Sequence, residues 1–136
     1  MLTVSLRTKY GLKAMVALAG HFRATPLQIR RIAEDCSIPQ NYLEQVLVAL
    51  KKTGLVQSFR GSQGGYVLTK DPSQISVKDI VTCLEGPISL TANSQESSLL
   101  FFWQEAETAI EKVFELSLSE LIHHKQQQEG IVSYAI

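Results

Sequence analysis

Leu6, Tyr10, Ala14, Leu18 and Phe22 recur at every fourth position, a spacing that predicts an amphipathic first helix from about Ser5 to Arg23. Thr25-Pro26 reads as an N-cap and first-turn proline opening a short second helix with Ile29, Ile32 and Ala33 inward. After a turn at Cys36-Ser37, Leu43, Val46, Leu47 and Leu50 share one side of a third helix, and Asn41, Glu44, Gln45, Val48 and Lys52 share the other. Gly54 follows Lys51 and Lys52 where that helix has a physical reason to stop. Leu55 to Arg60 and Gly65 to Thr69 then read as two strands around a Gly-Ser-Gln-Gly turn, a hairpin with Arg60 at its tip.

Asp71-Pro72 ends the second strand, and Ser76-Val77-Lys78-Asp79 has the pattern of a capping box, with Ile75 and Ile80 spaced as a hydrophobic staple. The fourth helix so begun turns Val77, Ile80, Val81 and Leu84 inward and ends at Gly86-Pro87. Beyond the polar stretch 87–97, Leu99 to Trp103 are consecutively apolar, and Trp103, Ala106, Ile110 and Val113 continue a stripe at three- and four-residue spacing. Glu105, Glu107, Glu111 and Glu115 fall on the opposite side. A helix that is apolar on more than one face needs a second surface to bury it, and a second copy of the chain supplies one. Leu99, Leu100, Trp103, Ala106, Ile110 and Val113 are therefore the candidate dimer interface. A second capping-box pattern, Ser117 to Glu120, opens a last short helix with Leu118, Leu121 and Ile122, followed by a polar, loose tail. The expected fold is mainly α with a small β-hairpin. It divides into a helix-and-hairpin part over 1–86, a loop over 87–97, dimerisation helices over 98–125 and the tail over 126–136.

Composition changes little: 136 residues suit one domain with an appendage, and 45% hydrophobic with 19% charged is ordinary for a soluble chain. Charge changes more, because the net value of zero hides an asymmetry. Residues 1–70 hold ten Lys/Arg against three Asp/Glu, and residues 71–136 hold three against ten. The first half is thus the candidate nucleic-acid face, with Arg7, Lys9, Lys13, Arg30 and Arg31 placed off its apolar stripes. No run approaches the length of a membrane span. Cys36 and Cys83 stand far apart in apolar helical contexts, as buried reduced thiols in a cytoplasm do.

The outer face of the third helix carries chemistry that suits a major groove. Asn and Gln pair bidentately with adenine, a carboxylate accepts from the cytosine amino group, and Lys neutralises phosphate. A merely solvated helix shows the same residues, and what separates the two readings is the hairpin directly behind it, whose tip can lay Arg60 in a minor groove. The candidate DNA-contacting set is Gln28, Gln40, Asn41, Tyr42, Glu44, Gln45, Lys51, Lys52 and Arg60, with the turn residues Gly61, Ser62, Gln63, Gly64 and Gly65. The glycines do not form a phosphate cradle of the Walker type, since Gly65 opens a strand and no Lys-Ser/Thr follows. No catalytic arrangement stands out, and the adjacent His123 and His124 point about 100° apart on a helix, which disfavours a shared metal. The chain is not expected to be an enzyme.

Tyr42-Leu43-Glu44-Gln45, Leu50 to Val56, Ser58-Phe59-Arg60-Gly61, Gly64-Gly65-Tyr66 and Leu68 resemble the signature of the Rrf-two family of bacterial winged-helix transcription regulators. The likeness extends upstream to Lys9-Tyr10-Gly11 and downstream to Ser119-Glu120-Leu121. It implies a cytoplasmic homodimer held by crossing C-terminal helices. It also implies recognition of double-stranded DNA, with the third helix in the major groove and the wing arginine in the minor groove; the dimer in turn implies a palindromic site, and a small effector of unknown identity is an open partner. Two departures stand out. Pro39 occupies the place where the family commonly has a serine or threonine cap. Family members that sense iron or nitric oxide carry three closely spaced cysteines after the fourth helix, and here residues 86–97 contain none. The expectation is therefore no cofactor. The alternatives are an atypical iron-sulfur or redox sensor in which Cys83 joins ligands from a partner subunit, and a winged-helix module that binds protein rather than DNA.

Overall fold

The computed structural model describes residues 2–92 and 98–135; residues 93–97 of the predicted loop and Ile136 of the predicted tail lie outside the described residues. Six helices and one hairpin follow in the order α1 (Leu6–Ala19), α2 (Ile29–Cys36), α3 (Gln40–Lys52), β1 (Val56–Phe59), β2 (Gly65–Leu68), a 3-10 turn (Pro72–Gln74), α4 (Val77–Glu85), α5 (Leu100–Phe114) and α6 (Leu118–Ala135). One apolar core joins the first four helices, the hairpin base and the start of α6. Met15, Leu18, Ile32, Leu43, Leu47, Leu50, Ile75, Ile80 and Leu118 are all fully enclosed in it.

Ser5 caps α1 by accepting from the Thr8 N–H, and α1 packs so closely on α4 that a Cβ on Gly11 would lie 2.1 Å from Leu84 Cδ1. Glu85, at the far end of α4, accepts from the Ser5 N–H at 2.7 Å and from the Thr8 hydroxyl at 3.3 Å. Those bonds, the Ser5 N–H first, hold its carboxyl below the ordinary glutamate value. The buried side of α1 is Thr8, Gly11, Ala14, Met15 and Leu18, whereas Leu6 is 54% exposed. Nor does the helix reach Arg23. It ends at Ala19, and a short turn leads to Arg23 in the left-handed region at φ 66°. Gly20, a weak helix former held in right-handed backbone, favours that ending.

Thr25-Pro26 does not open α2 as its sequence suggests. Leu27 pairs with Tyr66 through both backbone groups, at 3.0 and 2.9 Å, and adds a one-residue third rung beside the hairpin. Proline's fixed φ suits that extended approach, and α2 starts at Ile29 after Gln28, which makes no side-chain cap. Gly65 allows the contact, since its φ is +146° and a Cβ there would come within 2.6 Å of the Leu27 backbone.

The capping box at α4 forms as read: Ser76 Oγ accepts from the Asp79 N–H, and Asp79 accepts from the Ser76 N–H, both at 3.0 Å. Ile75 and Ile80 are both fully enclosed, in keeping with the staple. The largest difference lies at the C-terminus. The last helix is 18 residues long and runs through most of the stretch read as a loose tail. Gln, Glu and Lys are good helix formers, so once Leu118 is anchored in the core each further turn is inexpensive.

Candidate nucleic-acid interface

α2 and α3 meet at Ser37, which takes a left-handed conformation at φ 55° and lets the chain turn without glycine. The Ile38 N–H closes that turn on the Ala33 carbonyl at 2.9 Å. α3 then starts behind Pro39 with no side-chain cap, as the sequence departure implied. Leu43, Val46, Leu47 and Leu50 are buried, and the opposite face, Gln40, Asn41, Glu44, Gln45, Val48 and Lys52, is exposed. The binary pattern of this one helix therefore places an amide, carboxylate and ammonium surface outward on a rigid support. Val48, 60% exposed amid the polar groups, shares this outward face without belonging to the polar candidate set. An apolar side chain at such a place can meet a thymine methyl group.

The candidates are not equivalent. Tyr42 is half-buried, its ring edge-on to Tyr10 at 5.3 Å, so much of its surface is committed to packing. Lys51 is exposed but donates to Ser58 Oγ at 2.7 Å, tying the last turn of α3 to β1. Ser58 was missed in the sequence because only the folded hairpin brings it beneath α3. Antiparallel pairing of Val56 with Leu68 through Phe59 with Gly65 fixes the wing, and Arg60, Gly61, Ser62 and Gln63 are exposed at its tip. Gly64 is buried, and a Cβ there would lie 2.3 Å from the Phe59 carbonyl, so Gly64 and Gly65 shape the tip and offer little surface of their own. Gln28 Nε2 reaches the Ser62 carbonyl at 3.4 Å, linking the start of α2 to the wing.

α5 presents a different chemistry. None of its residues is buried; Phe101, Phe102, Trp103 and Val113 are 58, 50, 40 and 69% exposed, and Leu99 just before it is 52% exposed. Leu100, Ala106 and Ile110 are half-buried, and Glu107 accepts from the Leu90 N–H at 2.7 Å.

Both cysteines are hydrogen-bonded within the helical part. Cys83 bonds the Ala49 carbonyl at 3.5 Å and the Thr53 hydroxyl at 3.3 Å, while Cys36 bonds the Lys13 carbonyl at 3.7 Å. Burial pushes the Cys36 thiol up, against the pull of the Lys13 charge. No group of three His, Cys, Asp or Glu side chains that could hold a metal occurs among the described residues. No helix among them is long and apolar enough to cross a membrane.

Two helices joined by a tight turn, the second with an exposed polar face and a glycine-shaped hairpin behind it, define a winged helix-turn-helix of the DNA-binding kind. Comparison with known proteins makes this specific. The profile of the Rrf2 family, described as iron-dependent transcriptional regulator, matches residues 4–124, and the chain belongs to that family of DNA-binding transcription regulators. It is 33% identical to the HTH-type transcriptional regulator CymR of Bacillus subtilis over 96% of this chain and 98% of that protein. To IscR of Serratia proteamaculans it is 39% identical over 61% of this chain and 51% of that protein. Among solved structures, that of CymR, the global cysteine regulator of B. subtilis, superposes with a TM-score of 0.84 at 34% identity, covering 91% of this chain and 98% of the other. T. potens IscR superposes at 0.80 with 36% identity, covering 93 and 90%. The family's iron-dependent description does not fit this chain's donors: the segment after α4 lacks cysteine, and both cysteines are engaged with backbone carbonyls elsewhere.

Proposed function

We propose that the chain acts as a homodimer on a two-fold symmetric DNA site and regulates transcription without a resident metal. In each subunit α3 enters the major groove, where Asn41, Glu44 and Gln45 meet base edges and Lys52 meets phosphate, and Arg60 enters the neighbouring minor groove. The carrying observation is that one small chain holds two surfaces that are both incomplete in isolation, the polar face of α3 with its wing and the uncovered apolar face of α5. Pairing α5 with its copy would cover Leu99, Trp103 and Val113 and set two reading helices in a fixed two-fold relation. Half-sites would then lie about one or two helical turns apart.

The match to CymR spans both proteins almost completely, which makes genes of cysteine metabolism the first targets to search. A gel shift on the DNA upstream of the chain's own gene, followed by genome-wide footprinting, tests the proposal. Palindromic footprints bound by a dimer support it, and binding that ignores sequence defeats it.

A further inference from the structure

A groove of about 710 Å³ lies between α1, the end of α2 and α6, apart from the α3 and wing residues of the DNA-contacting set and from the exposed face of α5, although its Lys9 and Lys13 belong to the basic first half. Its floor is Leu12, Val16 and Leu121, and Lys9, Lys13 and Lys125 stand around it. The size lies within the range of small-ligand sites, and apolar walls with a few convergent polar groups are their usual make-up. The charge is one-sided. Asp35 is the one carboxylate among the lining residues, and it is 3.5 Å from Arg31 Nε. Lys9 has no ion-pair partner among the described residues, and Lys13 donates to a neutral acceptor, the Cys36 carbonyl at 2.9 Å. Lys125 alone is matched, by Glu129.

We infer that this groove binds a small amphiphilic carboxylate, its apolar body along Leu12, Val16 and Leu121 and its head between Lys9 and Lys13. Both parts of the ligand are needed. An alcohol of the same length leaves two ammonium groups without an anion, and a short carboxylate leaves the floor wet.

The site also reaches the reading helix. Lys13 and Cys36 are joined twice, by the ammonium to the Cys36 carbonyl and by the Cys36 thiol to the Lys13 carbonyl at 3.7 Å. Cys36 ends α2, and Ser37 begins the turn into α3. A carboxylate that draws the Lys13 ammonium toward itself removes a donor from that turn, so ligand and DNA affect each other's affinity by the same factor. This coupling rests on the DNA-binding reading, and the binding itself does not.

Titration calorimetry of the full chain with decanoate, decanol, acetate and inorganic phosphate tests the site without DNA. Decanoate should bind saturably, with decanol, acetate and phosphate each at least about tenfold weaker. A Lys9→Gln/Lys13→Gln chain should lose about tenfold for decanoate while still melting cooperatively, since both side chains are at the surface. Decanol binding as well as decanoate, an unaffected double variant, or tight binding only of an acidic peptide would each overturn the inference. In a gel shift, decanoate should change the affinity of the parent chain for its operator and not that of Lys13→Gln. Failure of the parent chain to bind DNA leaves the calorimetry standing, whereas normal operator binding that ignores decanoate removes the coupling alone.

Discussion

Lys51 Nζ lies 2.7 Å from Ser58 Oγ, so a side-chain hydrogen bond ties the C-terminal turn of α3 to the first strand of the wing. If Lys51 positions the wing more than it touches phosphate, Ser58→Ala, which removes no charge, should weaken operator binding nearly as much as Lys51→Met, by about three- to tenfold for one lost charge-assisted bond. Fluorescence anisotropy at two salt concentrations decides between them. A loss confined to Lys51→Met, with a flatter salt dependence, assigns Lys51 to the DNA backbone instead.

Glu44 is an exposed carboxylate on a surface expected to approach phosphates. If α3 reads base edges as proposed, the use of a carboxylate there is to reject wrong bases. Glu44→Ala should cost about 1 to 3 kcal/mol on the specific site and leave random-sequence binding equal or tighter, with Asn41→Ala and Gln45→Ala losing similar amounts on the specific site alone. Equal losses on both DNAs would rule out base readout.

Arg60 is exposed at the wing tip. Arg60→Ala should weaken operator binding and flatten any preference for A·T steps beside the half-site, because an arginine there reads groove width and potential. Selection of bound sequences from a random pool, compared between the two chains, gives the answer; identical preferences put the wing off the DNA.

Trp103, 40% exposed and edge-on to Phe102 at 5.2 Å, stands at the start of the uncovered face of α5. Trp103→Glu should yield a monomer by sedimentation at micromolar concentration and lower operator affinity by at least about a hundredfold, since two half-sites can no longer be held together. A dimer that survives this change is built on another face.

Protein purified without oxygen should be colourless, and chelation should leave its DNA affinity unchanged, because an iron-sulfur cluster needs converging soft ligands. A brown preparation that bleaches in Cys83→Ser would instead establish a cluster shared between subunits.

Where the chain repeats a pattern over several turns, its fold was legible. Leu43, Val46, Leu47 and Leu50 are the buried face of α3, and Ser76 with Asp79 makes the cap of α4. The misread places depend on contacts with no periodicity. A single rung such as Leu27 with Tyr66 leaves no alternation in the sequence, and Thr25-Pro26 looked like a helix start for want of it. The long α6 was hidden for the opposite reason, since Gln126, Gln127 and Gln128 extend a helix without marking any face as apolar. At the candidate interface the outward residues of α3 were readable one by one, but the engagement of Tyr42 with Tyr10 and of Lys51 with Ser58 belongs to tertiary structure alone.

Leu118 is completely enclosed among the helices of the DNA-binding part, and its N–H bonds the Ile75 carbonyl at 2.7 Å while Val77 bonds the Leu116 carbonyl at 2.8 Å. Contacts thus cross the boundary drawn at residue 86: a fragment ending there would carry a leucine-sized hole and two orphaned backbone groups. Amide exchange should find Ile80 and Leu118 opening at the same slow rate, in one cooperative unit. For a regulator this means that loosening the C-terminal helices is felt as local unfolding beneath the reading head, and a degradation signal that pulls on the last helix would take the DNA-binding part with it.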